Sequence, residues 1–274
     1  MSKPNCLFCG GEGPFTTVEH IVPESLGNDD LLLVGEVCDG CQRYLGKEVE
    51  QYVLSKTPIG VWRTFLGIRT KKGKLPHVDL TVPTRPKGTV PEWSPRHDNG
   101  IGFTAHEDGS TSVNVDDTGI VREIVQGQRR EFRFVLSPKH LVQMGRFLGK
   151  IGVELLCSTN PTAARSDRYA DLRRYVRYGI KADIWPIFHT VSGELPSFRK
   201  ITQQNDSVAE EVFCYEYELL SVGDLYDVFR FQVGSDSWSI CMNDPFPTPV
   251  IREAFPKSQI ELIWYSQDEW QKPK

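Results

Sequence analysis

Cys6-Leu7-Phe8-Cys9, Glu19-His20-Ile21-Val22-Pro23 and Cys38-Asp39-Gly40-Cys41 fall within one short stretch, and their reading decides the fold. Two Cys-x-x-Cys pairs supply four thiolates. These are soft ligands that close a tetrahedral shell around a structural zinc and leave no position open for chemistry. Gly10 and Gly11 follow Cys9, and Gly40 precedes Cys41, so the backbone can turn its amides toward sulfur. A disulfide framework is the other use of such pairs. It does not suit a chain of 274 residues with no secretion signal in its sequence and three further cysteines, Cys157, Cys214 and Cys241.

The 28 residues between the pairs are more than a plain zinc ribbon needs. Residues 17–22 read as a short strand, residues 23–28 as a turn carrying Pro, Gly and Asn, and residues 31–37 as a second, apolar strand. From Asp39, a plausible N-cap, the apolar spacing turns helical through Cys41, Leu45, Val49 and Tyr52 or Val53. The order strand, strand, helix places the second knuckle at the helix start.

That layout resembles the HNH, or ββα-metal, endonuclease family. The resemblance rests on Cys6 and Cys9, on Glu19 to Gly27, on Cys38 and Cys41, and on Gly46 to Glu50. It is nearest to the zinc-stapled branch, with its C-x-x-C, E-H-I-x-P and C-x-x-C strings, and covers about the first 55 residues. The resemblance implies hydrolysis of phosphodiester bonds in nucleic acid, DNA by preference, with a catalytic Mg²⁺ or Mn²⁺ beside the structural zinc. It implies that Glu19 holds the catalytic metal and that His20 takes a proton from water. Similar architectures in mobile elements and antiphage defence make host defence a further expectation.

Two positions depart from the family pattern. Asn usually follows the last Cys and helps hold the metal; here Gln42 stands there, with the same carbonyl oxygen on a longer stem. Glu50 matches an acidic position further along the helix. At about 1.5 Å per residue the two lie roughly 12 Å apart, so they do not share one ion directly, and the choice between them stays open. The middle Asn of HNH, which steadies the His, has no counterpart in residues 31–37; Asn28 is the nearest, in the turn. A degenerate, non-catalytic scaffold that binds nucleic acid is the alternative reading.

Composition is ordinary for a globular chain: 39% hydrophobic, 25% charged, net charge −4. No apolar run approaches a membrane span, and thiols with zinc knuckles point to the cytoplasm. Positive charge nevertheless clusters. Arg63, Arg69, Lys71, Lys72 and Lys74 follow the zinc segment, with Trp62 and Phe65 interleaved, and read as a nucleic-acid contact or a solvated linker. Arg165, Arg168, Arg173, Arg174, Arg177 and Lys181 form a second cluster on an amphipathic helix. His77, His97, His106, His140 and His189 have no ligand spacing.

The expected fold is α+β. Residues 1–70 form the zinc-stapled HNH module, 71–95 a basic, proline-rich connector, and 96–274 a C-terminal α+β domain with an antiparallel sheet. That domain selects substrate, senses a signal or forms a homodimer. Within it, strands are expected at 102–105, 111–115, 120–125, 131–136, 184–190, 211–221, 226–233, 238–242 and 260–265. Ser137 caps a helix running to Cys157, with Pro138 at its first position, and a second helix spans 167–177.

Overall fold

The computed structural model describes residues 5–65, 67–70, 72–83, 98–115, 126, 137–179, 185–191, 215–222, 225–234, 236–245 and 260–263. Helices and antiparallel sheets are mixed, as an α+β chain requires. The chain divides into two compact units. One joins Met1–Gln51 to Leu141–Lys274, and the other is Tyr52–His140. This differs from the expected division at residues 70 and 95. The zinc segment shares a unit with the C-terminal residues, because a long helix packs directly behind it.

The first unit opens with strands β1 (Val18–His20) and β2 (Leu32–Val34), paired antiparallel with Glu19 opposite Leu33 and His20 opposite Leu32. Both are shorter than expected. Ile21 and Val22 leave the ladder to bury completely, and Gly35, at φ +74°, ends β2. Helix α1 (Asp39–Leu45) follows, then one π turn (Gly46–Glu50); α2 (Gln51–Lys56) then carries the chain into the second unit. The π turn replaces the continuous α-helix expected here; such turns insert a residue and re-aim the side chains beyond them.

Helix α4 (Pro138–Thr159) is the spine of this unit from Leu141 onward. Its start was legible: the Ser137 hydroxyl accepts from the His140 amide at 3.4 Å, the expected cap. Met144, Phe147, Leu148 and Ile151 are fully buried, each contributing roughly 1.5–3 kcal/mol. Helices α5 (Pro161–Arg165) and α6 (Ala170–Tyr178) pack beside it. A Cβ on Gly149 would meet Val176 Cγ2 at 2.8 Å, so α6 comes close only because that position lacks a side chain. A five-stranded antiparallel sheet completes the unit. Its order is β10 (Ile260–Ile263), β6 (Ile187–Val191), β9 (Asp236–Cys241), β8 (Tyr226–Val233), β7 (Glu216–Val222). Phe147 of α4 meets Phe231 of β8 edge to face, ring centres 6.0 Å apart.

The second unit contains α3 (Pro58–Phe65) and an antiparallel sheet of β3 (His77–Pro83), β4 (Asp98–Ala105) and β5 (Thr111–Val115). The stretch expected as a connector thus supplies a strand, whose alternating Val78 and Leu80 are buried. Strands expected at 120–125 and 131–136 lie outside the described residues.

Candidate active site and zinc centre

The four knuckle cysteines come together. One sulfur from each of Cys6, Cys9, Cys38 and Cys41 lies within 4.8 Å of the others, and Cys9 Sγ is 3.7 Å from Cys38 Sγ. A tetrahedral site with Zn–S bonds of about 2.3 Å needs sulfurs about 3.8 Å apart, so the set fits zinc. The knuckles direct amides at sulfur: Cys38 N–H donates to Cys6 Sγ at 3.3 Å, and Cys41 N–H to Cys38 Sγ at 3.4 Å. Leu7 N–H donates to the Glu36 carbonyl at 2.8 Å and ties one knuckle to the other. Crowding separates the thiols. Contact with Cys41 holds Cys6 down to about 4, whereas contact with Cys6 pushes Cys41 up and burial raises Cys38. Among the described residues this is the group of three or more His, Cys, Asp or Glu side chains that converges as a metal would require.

Asp39 anchors the strand that carries the Glu-His string. Its carboxylate accepts from Thr16 N–H (2.8 Å), Thr16 Oγ1 (2.5 Å), Thr17 N–H (3.1 Å) and Thr17 Oγ1 (3.0 Å). The Thr16 hydroxyl is the main cause that holds its pKa at about 2. Gln42 is a second tether. Its amide nitrogen donates to the Thr17 (3.1 Å) and Val37 (3.0 Å) carbonyls, and its oxygen accepts from Thr17 Oγ1 at 2.7 Å. One of the two open candidates for the metal, Gln42 here ties the residue before β1 to α1.

Asn28 staples the loop after His20. Its amide nitrogen donates to the Val22 carbonyl at 2.6 Å and the Leu31 carbonyl at 3.1 Å; its oxygen accepts from the amides of Leu31 (2.8 Å) and Asp30 (3.2 Å). It is 2% exposed. The sequence reading passed over it because it lies in the turn rather than on β2. Its type and its place between two strands were the available signal, since Asn bonds its own backbone a few residues on.

Glu19 and His20 point to opposite sides of β1, as strand alternation requires. His20 is half-buried, and its Nδ1 is enclosed without a hydrogen-bond partner among the described residues. Glu19 turns inward and is 6% exposed. Its carboxylate meets Lys150 Nζ of α4 at 2.7 Å. The same ammonium meets Glu50 at 2.9 Å and Glu154 at 3.0 Å, and donates to the carbonyls of His20 (3.0 Å) and Ile21 (3.2 Å). Burial pushes Glu19 and Glu154 above the usual carboxylate range. Burial opposes the charge on Lys150, but Glu154, Glu19 and Glu50 outweigh it and hold Lys150 well above the ordinary lysine value. Glu19 and Glu50 thus do converge, around an ammonium rather than as a gathered set of metal ligands.

Lys150 and Glu154 were missed by the sequence reading. The signal was present: a Lys and a Glu four apart in the otherwise apolar run Phe147-Leu148-Gly149-Lys150-Ile151-Gly152-Val153-Glu154. Of the basic residues expected to touch nucleic acid, Arg63 is 7% exposed and lies in the interior of its unit, where it has no phosphate to meet. Arg69 is exposed, pairs with Glu107 and donates to the Gly73 carbonyl at 2.8 Å. Lys72 and Lys74 are exposed, and Lys71 lies outside the described residues.

The second arginine cluster is mostly structural. Arg165 pairs with Glu36, Arg168 with Asp227 at 2.8 Å, and Arg173 donates to the carbonyls of Ala164 and Ser166. Arg177 lies over the Tyr44 ring at 4.1 Å, and Arg146 donates to the Tyr44 hydroxyl at 3.0 Å.

Residues 6–57 match the family model described as HNH endonuclease. The match spans the knuckles, the hairpin and the helix, a fifth of the chain. No curated protein and no solved structure matches the chain.

Proposed function

We propose that this protein is an HNH endonuclease that hydrolyses phosphodiester bonds in nucleic acid, DNA by preference, with a Mg²⁺ or Mn²⁺ requirement. The carrying observation is the placement of His20. It sits half-buried on a zinc-stapled hairpin within the matched segment, next in sequence to Glu19, which turns to the other face of the strand. In this reading His20 takes the proton from the attacking water. A divalent cation would supply charge stabilisation at the scissile phosphate. Glu19 and Glu50 are the proposed oxygen ligands for it, and Lys150 already engages both. Lys72 and Lys74 are the proposed phosphate contacts, joined by Arg69 and Lys71. Arg174 is exposed beside an open cavity of about 430 Å³ lined by residues 5–10 and is a further candidate.

One observation favours a second reading, a non-catalytic nucleic-acid-binding protein on this scaffold. Glu19 is bound to Lys150, and both ends of Gln42 are used as a tether. Incubation of the purified protein with plasmid and with RNA, with and without Mg²⁺ or Mn²⁺, separates the two. Cation-dependent cutting supports the endonuclease. Retarded mobility with no cutting under any cation supports the binding protein.

A further inference from the structure

We propose that Lys150 is a positioning residue of the candidate active site, holding Glu19 and the His20–Ile21 backbone in place from helix α4. Five oxygens lie within 3.2 Å of its Nζ, from the side chains of Glu19, Glu50 and Glu154 and the carbonyls of His20 and Ile21. An ammonium has three hydrogens, so every one of them is engaged by this cluster. Three of the five oxygens belong to the Glu19-His20-Ile21 string itself. Lys150 and Glu154 are both 0% exposed, which bars Lys150 from touching a substrate phosphate and leaves it to act through its neighbours.

Stability alone does not account for such a cluster. Three carboxyl groups share one ammonium in a buried place, where burial disfavours the charged forms of Glu19 and Glu154, and apolar residues of similar volume are often at least as stable as a buried ion pair. What the ammonium adds is direction. Strand β1 has three residues and one partner strand, and Ile21 N–H donates to the Leu31 carbonyl at 2.9 Å as the chain leaves the ladder. Lys150 fixes the two carbonyls at this exit, which sets where the His20 ring emerges. Glu154, one turn along α4, holds the ammonium in place. The site is therefore composite, and residues 6–57 do not complete it without α4.

The catalytic consequence rests on the nuclease reading, so the test carries a readout independent of cleavage. The variant is Lys150→Met with Glu154→Leu in the full-length protein. It removes Glu154 together with the ammonium, so the carboxyls left without that partner are Glu19 and Glu50, both less deeply buried than Glu154. Amide hydrogen exchange should speed by roughly tenfold or more at residues 19–22, while the β6–β9–β8 strands and the zinc content stay as in the parent. Where the parent cuts, kcat should fall about 100-fold with KM for nucleic acid little changed, because misplacement acts on the reacting groups rather than on binding. Unchanged exchange at residues 19–22 overturns the proposal, as does faster exchange spread evenly over the unit, the mark of plain core support. A parent that cuts nothing sinks the nuclease reading, and the exchange pattern still decides the role of Lys150.

Discussion

At the residue scale, single polar side chains do most of the work of placing the Glu-His string. Asp39 and Gln42 bond the backbone of residues 16–17 just before β1, Asn28 bonds Val22 just after it, and Lys150 bonds His20 and Ile21 at its end; Asp39, Gln42 and Lys150 reach these partners from more than 20 positions away. Asp39 gives a pH test. Its carboxyl is lowered from the ordinary 3.8 to about 2, chiefly by the Thr16 hydroxyl, so the folded state favours the charged form. A depressed carboxylate contributes stability that is fully present above the unfolded value and lost as pH falls through the folded one. Asp39→Asn should therefore destabilise the protein at pH 5 to 6, and the gap to the parent should close between about pH 4 and 2. Denaturant midpoints of both proteins across that range check it; a gap that stays constant would count against the Asp39 account.

At the element scale, the hairpin and α1 were legible because their information is local. The knuckle spacing, the turn residues and the helical stripe from Asp39 all lie within a few residues of what they specify. Helix α4 was legible for the same reason, from its Ser-Pro start and its apolar stripe. The π turn was not, because nothing in Gly46-Lys47-Glu48-Val49-Glu50 distinguishes it from a plain helix with an odd glycine. The close contact of α4 with α6 also escaped the sequence. Gly149 reads as a poor helix residue, yet its missing Cβ lets Leu172 and Val176 approach. On propensity alone Gly149→Ala gains about 1 kcal/mol. With Val176 and Leu172 carbons 2.8 and 2.9 Å from the new Cβ, overpacking outweighs that gain. A net loss of about 1–2 kcal/mol is expected in urea unfolding. A more stable Gly149→Ala protein would show that α6 yields freely.

At the scale of the whole molecule, the zinc segment is one part of a unit that also contains α4, α6 and the five-stranded sheet. Composition shifts and prolines pointed to boundaries at residues 70 and 95, whereas the contacts that gather this unit join residues more than a hundred positions apart. Lys150 to Glu19 and Arg146 to Tyr44 are two of them. No periodicity in one sequence encodes such pairings. Zinc should accordingly matter beyond its own ligands. One zinc per chain is expected by elemental analysis, and Cys38→Ser or chelation should loosen the hairpin and then the Lys150 cluster packed on it, read as faster amide exchange in both. Freshly purified protein with no zinc would contradict this arrangement.

The central claim is that His20, held on the stapled hairpin, performs proton transfer in phosphodiester cleavage. The most direct measurement compares parent and His20→Ala proteins on plasmid under Mg²⁺ and Mn²⁺, with zinc content and nucleic-acid affinity measured on the same preparations. Cleavage should fall by about 10²–10⁴-fold while zinc and affinity stay close to the parent, since a general base contributes to the transition state rather than to binding. A His20→Ala protein that cuts as fast as the parent would contradict the account.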